Sequence, residues 1–231
     1  MKLKELLKVI NVDIDEDVDI KGITCNSKEV KKGYLFVALK GNTYDGNNYI
    51  EEALHKKASF VISDSLSGNK VLKIENIKDI KANLFYHYYG YPQNKLKIIG
   101  ITGTNGKTST AYILYDLLNK LGSKAMYIGT LGIYDNNYSK SLNNTTPDSD
   151  ILAEEFYKAI KRKTKYVIME VSSHSLSFNR VDLINFIGAI YTNLTHEHLD
   201  YHITMANYLL AKQKLFNNLK ENGFAIINYD D

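Results

Sequence analysis

Apolar positions along this chain follow two rhythms, short continuous runs and longer stretches in which they recur three or four residues apart. The runs GYLFVAL at 33–39 and SFVIS at 59–63 predict strands covered on both faces, because a half-exposed strand would alternate apolar and polar positions. Between them, NNYIEEALHKKA at 47–58 predicts a helix, and 77–89 predicts another. The opening MKLKELLKVINVDIDEDV predicts a short charged helix. Gly90 and Pro92 then break the pattern, so a small α/β domain is expected over 1–91 and a second domain over 92–231.

From Leu96 onward the order becomes strand, glycine loop, helix, strand: LKIIGIT, GTNG, a helix from Lys107 to about Leu121, then KAMYIGT. Further runs, YVIMEVS at 166–172, IGAIYTNL at 187–194 and FAIINY at 224–229, predict strands separated by helices near 149–163 and 205–220. That alternation predicts a doubly wound, mostly parallel α/β sheet with helices on both faces. The chain stops at NYDD directly after a strand, so this domain is expected to be incomplete.

Composition narrows the class without naming a partner. Of 231 residues, 44% are hydrophobic, enough to fill a core. No run approaches the roughly 20 apolar residues that span a bilayer, and the start lacks a signal-peptide core, so a cytoplasmic protein is expected. Cys25 is the single cysteine, which excludes an internal disulfide and a cysteine zinc cluster. The net charge of +3 is spread along the chain, with no basic block to grip nucleic acid.

The strongest chemical signal is IIGITGTNGKTST, an apolar strand running into Gly103, Thr104, Asn105, Gly106, Lys107, Thr108 and Ser109 and then a helix. Backbone N–H groups of such a loop cradle phosphate, the lysine reaches the outer phosphates and the threonine hydroxyl binds magnesium. A general phosphate-loop pattern asks for glycine at 101, where this chain has Ile101. Glu170 ends an apolar strand beside the expected nucleotide site, where a carboxylate can hold magnesium. A buried glutamate satisfied by backbone donors is the alternative. The cluster His196, Glu197, His198, Asp200 and His202 follows another strand end and suits Mg²⁺ or Mn²⁺ beside a phosphate loop better than zinc. Taken alone, any one of these histidines also reads as a plain loop residue. Lys212 lies in a helix with Tyr208, Leu215 and Phe216, where a lysine stem can snorkel along the surface.

The string GTNGKT resembles the nucleotide loop of the Mur ligases. NNTTPDS at 143–149, MEVSSHSL at 169–176, TNLTHEHLDYH at 192–202 and YLLAKQKLF at 208–216 occur in the order and spacing of that family's MurE group. CNSKEVKKGYLFVALKGNTYDGNNYI is similar to the group's UDP-binding domain. The resemblance covers essentially the whole chain, while the family's C-terminal domain is missing from it.

This resemblance implies an ATP-dependent amide ligase of peptidoglycan precursor synthesis, adding a free amino acid, meso-diaminopimelate or L-lysine, to UDP-MurNAc-L-Ala-D-Glu through an acyl phosphate. It also implies the roles of individual residues. Lys107, Glu170, His198 and Lys212 would be catalytic. Two Mg²⁺ ions would be held by Thr108, Glu170, His198 and a Lys212 carbamylated by CO₂, with Lys214 solvated. Cys25, Ser27, Asn42, Thr43, Tyr44, Asn144, Thr145, Thr146, Ser172 and Arg180 would contact the sugar nucleotide. The chain departs from the pattern at Asn26 and Lys28, where the family shows Asp and Arg, at Phe178 for Gln and at Glu197 for Asp. A monomer without nucleic-acid or membrane partners is expected, and the fragment by itself is expected to turn over poorly. The alternatives are a truncated non-catalytic nucleotide-binding module and a Mur-like ligase with another acceptor.

Overall fold

Residues 1–41 and 44–231 are described by the computed structural model; Asn42 and Thr43, two of the expected sugar-nucleotide contacts, lie outside the described residues. The chain divides into two compact units, Met1–Gly90 and Tyr91–Asp231. The first contains α1 (Leu3–Lys8), β1 (Gly22–Thr24), β2 (Tyr34–Ala38), α2 (Ile50–His55), β3 (Phe60–Ser63), β4 (Val71–Lys73) and α3 (Ile77–Tyr88). Its strands pair in parallel in the order β1-β2-β3-β4. Phe36, Ala38 and Val61 from the sheet pack with Ala53 of α2, which is why the 33–39 and 59–63 runs carry no polar alternation.

The helix expected over 47–58 is shorter. Asp45 accepts the Asn47 N–H at 2.9 Å, and this cap tightens Gly46–Tyr49 into a 3-10 turn before α2 begins. The helix ends at His55, and Lys57 turns left-handed at φ 65°. Such a residue closes the last turn by redirecting the chain, here with the Ala58 N–H bonded back to Ala53 O at 3.0 Å.

The second unit contains β5 (Lys97–Thr102), α4 (Lys107–Lys120), β6 (Ala125–Gly129), β7 (Gly132–Asp135), β8 (Tyr138–Lys140), α5 (Ser149–Lys161), β9 (Tyr166–Glu170), α6 (Ser173–Ser177), β10 (Phe186–Tyr191), α7 (Leu199–His202), α8 (Met205–Asn217) and β11 (Leu219–Ile227). The sheet order is β11-β10-β5-β9-β6-β7-β8, parallel except for β7 and β8. Side chains alternate across central β5. Ile99 and Ile101 pack with Ala111 of α4, and a side chain at Gly100 would meet Leu215 of α8 and Phe186 on the other face. Helices therefore cover both faces, as the alternation predicted.

Both edges of this sheet depart from the expected elements. β7 and β8 form an antiparallel edge hairpin turned at Asn136, with φ 56°. Asp135 on that hairpin is fully buried and accepts from Arg162 and Thr164, which ties the edge to the end of α5. β11 starts at Leu219, before the apolar run at 224–229, and a register irregularity between Phe186 and Gly188 absorbs the extra residues. The order also sets the C-terminal ends of β5, β9 and β10 side by side. That is the crevice in which open parallel sheets bind ligands.

Candidate active site

The loop between β5 and α4 holds the phosphate-type sequence, and the backbone explains its glycines. Gly103 and Gly106 have φ of 146° and 81°, and a Cβ on Gly103 would land on the Thr192 hydroxyl. Ile101 needs no such freedom: it is still strand and fully buried against α4. The segment after β10 pins the loop from the side. Thr104 N–H bonds Asn193 O at 2.8 Å, Asn105 N–H bonds Asn193 Oδ1 at 2.9 Å, and Thr104 Oγ1 accepts the Thr195 N–H at 3.0 Å. Lys107 curls back and donates to the carbonyls of Gly103 (2.9 Å) and Thr104 (2.7 Å). Burial lowers its pKa while the carboxylates of Glu170 and Glu197 pull the other way, so both acids lie within electrostatic range of this ammonium. Ser109 is exposed in the first turn of α4.

Glu170 is fully buried at the end of β9, where an unpaired charge would be very costly. Its Oε2 accepts from the Thr108 hydroxyl at 2.9 Å and the Thr130 hydroxyl at 3.3 Å. Its Oε1 accepts from the Tyr127 hydroxyl and from Thr130 N–H at 3.0 Å. Only one of these donors is backbone, so a glutamate satisfied by the main chain does not describe it. The paired hydroxyl and carboxylate of Thr108 and Glu170 are hard oxygens, which fit Mg²⁺.

The sugar-nucleotide candidates Thr145, Thr146, Ser172 and Arg180 gather around the same strand end. Thr146 Oγ1 donates to Glu170 O (2.9 Å) and accepts the Ser172 N–H (3.1 Å). Thr145 Oγ1 lies 3.1 Å from Thr130 Oγ1. Arg180 donates to Thr146 O at 3.0 Å and pairs with Asp148 at 3.0 Å, so part of its fork is engaged within the protein. Asn144 is exposed on the same segment.

His198 is left-handed at φ 56° and exposed, edge-on to His174 with ring centroids 4.8 Å apart and 6.1 Å from the Tyr208 ring. Lys212 is 1% exposed, with Nζ 4.1 Å from the Tyr208 ring centroid, so it does not snorkel to solvent. Burial brings its pKa down to about 7, with Lys107 pushing the same way and Glu197 opposing. Lys214 is exposed, as expected. Tyr208, an apolar stripe position in the sequence, is the ring shared by His198 and Lys212, and its hydroxyl reaches Thr104 Oγ1 at 3.3 Å. Among the described residues no three His, Cys, Asp or Glu side chains converge on a metal-sized site.

In the first unit, Ser27 opens a 3-10 turn directly after β1. Asn26, at the family's Asp position, caps it by accepting the Lys28 N–H at 3.0 Å, a task Asn performs as well as Asp. Lys56 donates to Ser27 O at 2.9 Å. Cys25 is half-buried and Tyr44 is 74% exposed. Sequence reasoning missed Tyr127, Thr130, Thr192, Asn193 and Tyr208. The only local hint was that Thr130 comes directly after Gly129 at the end of β6, much as Glu170 ends β9.

Comparison with known proteins extends this geometry. The curated relatives include UDP-N-acetylmuramoyl-L-alanyl-D-glutamate--2,6-diaminopimelate ligase of Phocaeicola vulgatus, 38% identical over 100% of this chain and 49% of the relative. The enzyme of the same name from Fusobacterium nucleatum is 42% identical over 98% of this chain and 46% of the relative. The chain thus spans about half the length of the curated relatives it matches. A solved structure of a ligase of that name matches with a TM-score of 0.81 at 27% identity, covering 100% of this chain and 48% of that one. The MurF ligase of Thermotoga maritima, solved with ADP, shares the fold at a TM-score of 0.66 and 24% identity, over 90% of this chain and 46% of that one. The Mur ligase family catalytic domain pattern matches residues 19–84 and the Mur ligase middle domain pattern matches residues 101–231. One pattern falls on each compact unit and the second alone takes in more than half of the sequence, so the chain belongs to the Mur ligase family.

Proposed function

We propose that this protein is an ATP-dependent ligase that adds the third amino acid, meso-diaminopimelate or L-lysine, to UDP-MurNAc-L-Ala-D-Glu in the cytoplasm. The observation that carries the reading is the Thr108–Glu170 pair, 2.9 Å apart, set under a loop whose glycines keep its backbone open. In this reading the first unit takes the uridine end through Cys25, Ser27 and the segment at 42–44. The second unit takes the triphosphate on Gly103, Thr104, Asn105, Gly106, Lys107, Thr108 and Ser109, with the backbone N–H groups of the first turn of α4 directed at phosphate.

The D-Glu carboxylate of the precursor attacks the γ-phosphate, ADP leaves, and the resulting acyl phosphate is displaced by the incoming amine with release of phosphate. Lys107 supports this by exchanging its bonds to the Gly103 and Thr104 carbonyls for phosphate oxygens, where negative charge develops. Asn144, Thr145, Thr146, Ser172 and Arg180 orient the muramoyl dipeptide. Thr108 and Glu170 would hold one Mg²⁺, and His198 with a carbamate on Lys212 the other; when bound, these ions neutralise charge on the transferred group. A pKa near 7 leaves much of Lys212 as the neutral amine that CO₂ requires.

Phosphate release from ATP by the full-length protein tests this with UDP-MurNAc-L-Ala-D-Glu and a panel of amino acids. Release that needs both the precursor and one diamino acid is expected. Release independent of the precursor, or none with any acceptor, refutes it.

A further inference from the structure

The two oxygens of Glu170 are not equivalent. Oε2 is held by the Thr108 and Thr130 hydroxyls, which can rotate away to admit a cation. Oε1 is held by groups that cannot leave. One is the main-chain N–H of Thr130 at 3.0 Å. The other is the hydroxyl of Tyr127, a fully buried ring flanked by Tyr112, Tyr115 and Tyr134 with centroids 5.6, 6.2 and 6.0 Å away. A carboxylate oxygen offers about two lone-pair directions, so two fixed donors fill Oε1. The strand is shaped around this contact: a Cβ on Gly129 would land on both Oε1 and the Tyr127 hydroxyl.

We infer that Tyr127 is a positioning residue that sets cation preference, because by occupying Oε1 it leaves Glu170 a single oxygen to offer a metal. The inference rests on the proposed role of Glu170 as a magnesium-holding acid. Mg²⁺ demands near-octahedral geometry and takes carboxylates through one oxygen, whereas the larger Ca²⁺ readily takes both oxygens of one carboxylate. Freeing Oε1 would remove the penalty against Ca²⁺. Tyr127 touches neither ion nor substrate in this scheme and acts through Glu170 alone.

The test is equilibrium competition of Mg²⁺ and Ca²⁺ against Mn²⁺, read by electron paramagnetic resonance. The full-length protein is loaded with the β,γ-imido analogue of ATP, so that no turnover enters the readout. Tyr127→Phe should shift the Ca²⁺ to Mg²⁺ affinity ratio toward Ca²⁺ by about ten-fold, the scale on which groups behind a metal ligand act. Thr130→Val, which removes a donor from Oε2, should change both affinities together and leave the ratio near wild type. A Tyr127→Phe ratio equal to wild type, or the same shift in both variants, overturns the inference while leaving the ligase reading intact. Mn²⁺ affinity equal in wild type and Glu170→Gln instead overturns the metal role of Glu170 itself. Should Tyr127→Phe fail to fold, a crystal structure of the wild-type protein with the analogue and Mn²⁺ decides. Oε2 alone on the ion with Tyr127 still on Oε1 supports the inference, and both oxygens on the ion refutes it.

Discussion

Lys212 carries a cost that the surrounding side chains do not offset. Its folded pKa is about 7, against an ordinary value of 10.5. Below pH 7 both folded and unfolded chains hold the proton, and the penalty for burying it is complete. Between pH 7 and 10.5 the unfolded chain binds more protons than the folded one, so stability rises with pH across that window. In CO₂-depleted buffer, Lys212→Met should therefore unfold at higher temperature than wild type, with a gain that is constant below about pH 7 and shrinks toward about pH 10. A gain that stays constant from below pH 7 to about pH 10 would show that the amine is not desolvated. Gly103→Ala should fail differently, because its φ of 146° and the Thr192 hydroxyl leave no room for a Cβ. Loss of ATP binding in a calorimetric titration, with the far-ultraviolet spectrum retained, is the expected outcome.

At this scale the glycine loop was legible because its chemistry is contiguous, and Glu170 because a lone charge ending an apolar run stands out. Tyr127 and Thr130 were not. A tyrosine inside an apolar strand reads as core, and nothing local says that its hydroxyl meets a carboxylate 43 positions away.

Among the elements, the packing of β5 between α4 and α8 makes the clearest prediction. A methyl group on Gly100 would press on Leu215 and Phe186, and overpacking of this kind costs about 1–3 kcal/mol. Gly100→Ala should lower the urea midpoint accordingly, and an unchanged midpoint would mean that α8 does not sit on that face. The central strands were readable since burial on both faces removes polar positions altogether. The edge hairpin of β7 and β8 was hidden because GIYDNNYSK alternates too briefly, and its buried Asp135 depends on Arg162 and Thr164, which are distant in sequence. The shortening of α2 came from a side-chain cap at Asp45, which competes locally with helix hydrogen bonds.

For the whole molecule, each unit has its own sheet and its own share of the proposed ligands, and among the described residues no helix is long and apolar enough to cross a membrane. The 231-residue chain should bind Mg-ATP while releasing little or no phosphate when given precursor and amino acid. Turnover by this chain equal to that of a relative of about twice its length would contradict the assignment of the unmatched half of the relatives to a part needed for chemistry. The central claim is that residues 103–108 grip a triphosphate whose metal is drawn in by Glu170. Calorimetric titration of ATP, with Mg²⁺ and with EDTA, into wild type, Lys107→Ala and Glu170→Gln measures it directly. Magnesium-dependent binding in wild type, lost in Lys107→Ala and made insensitive to magnesium in Glu170→Gln, is the predicted result; equal affinities in all three proteins would contradict it.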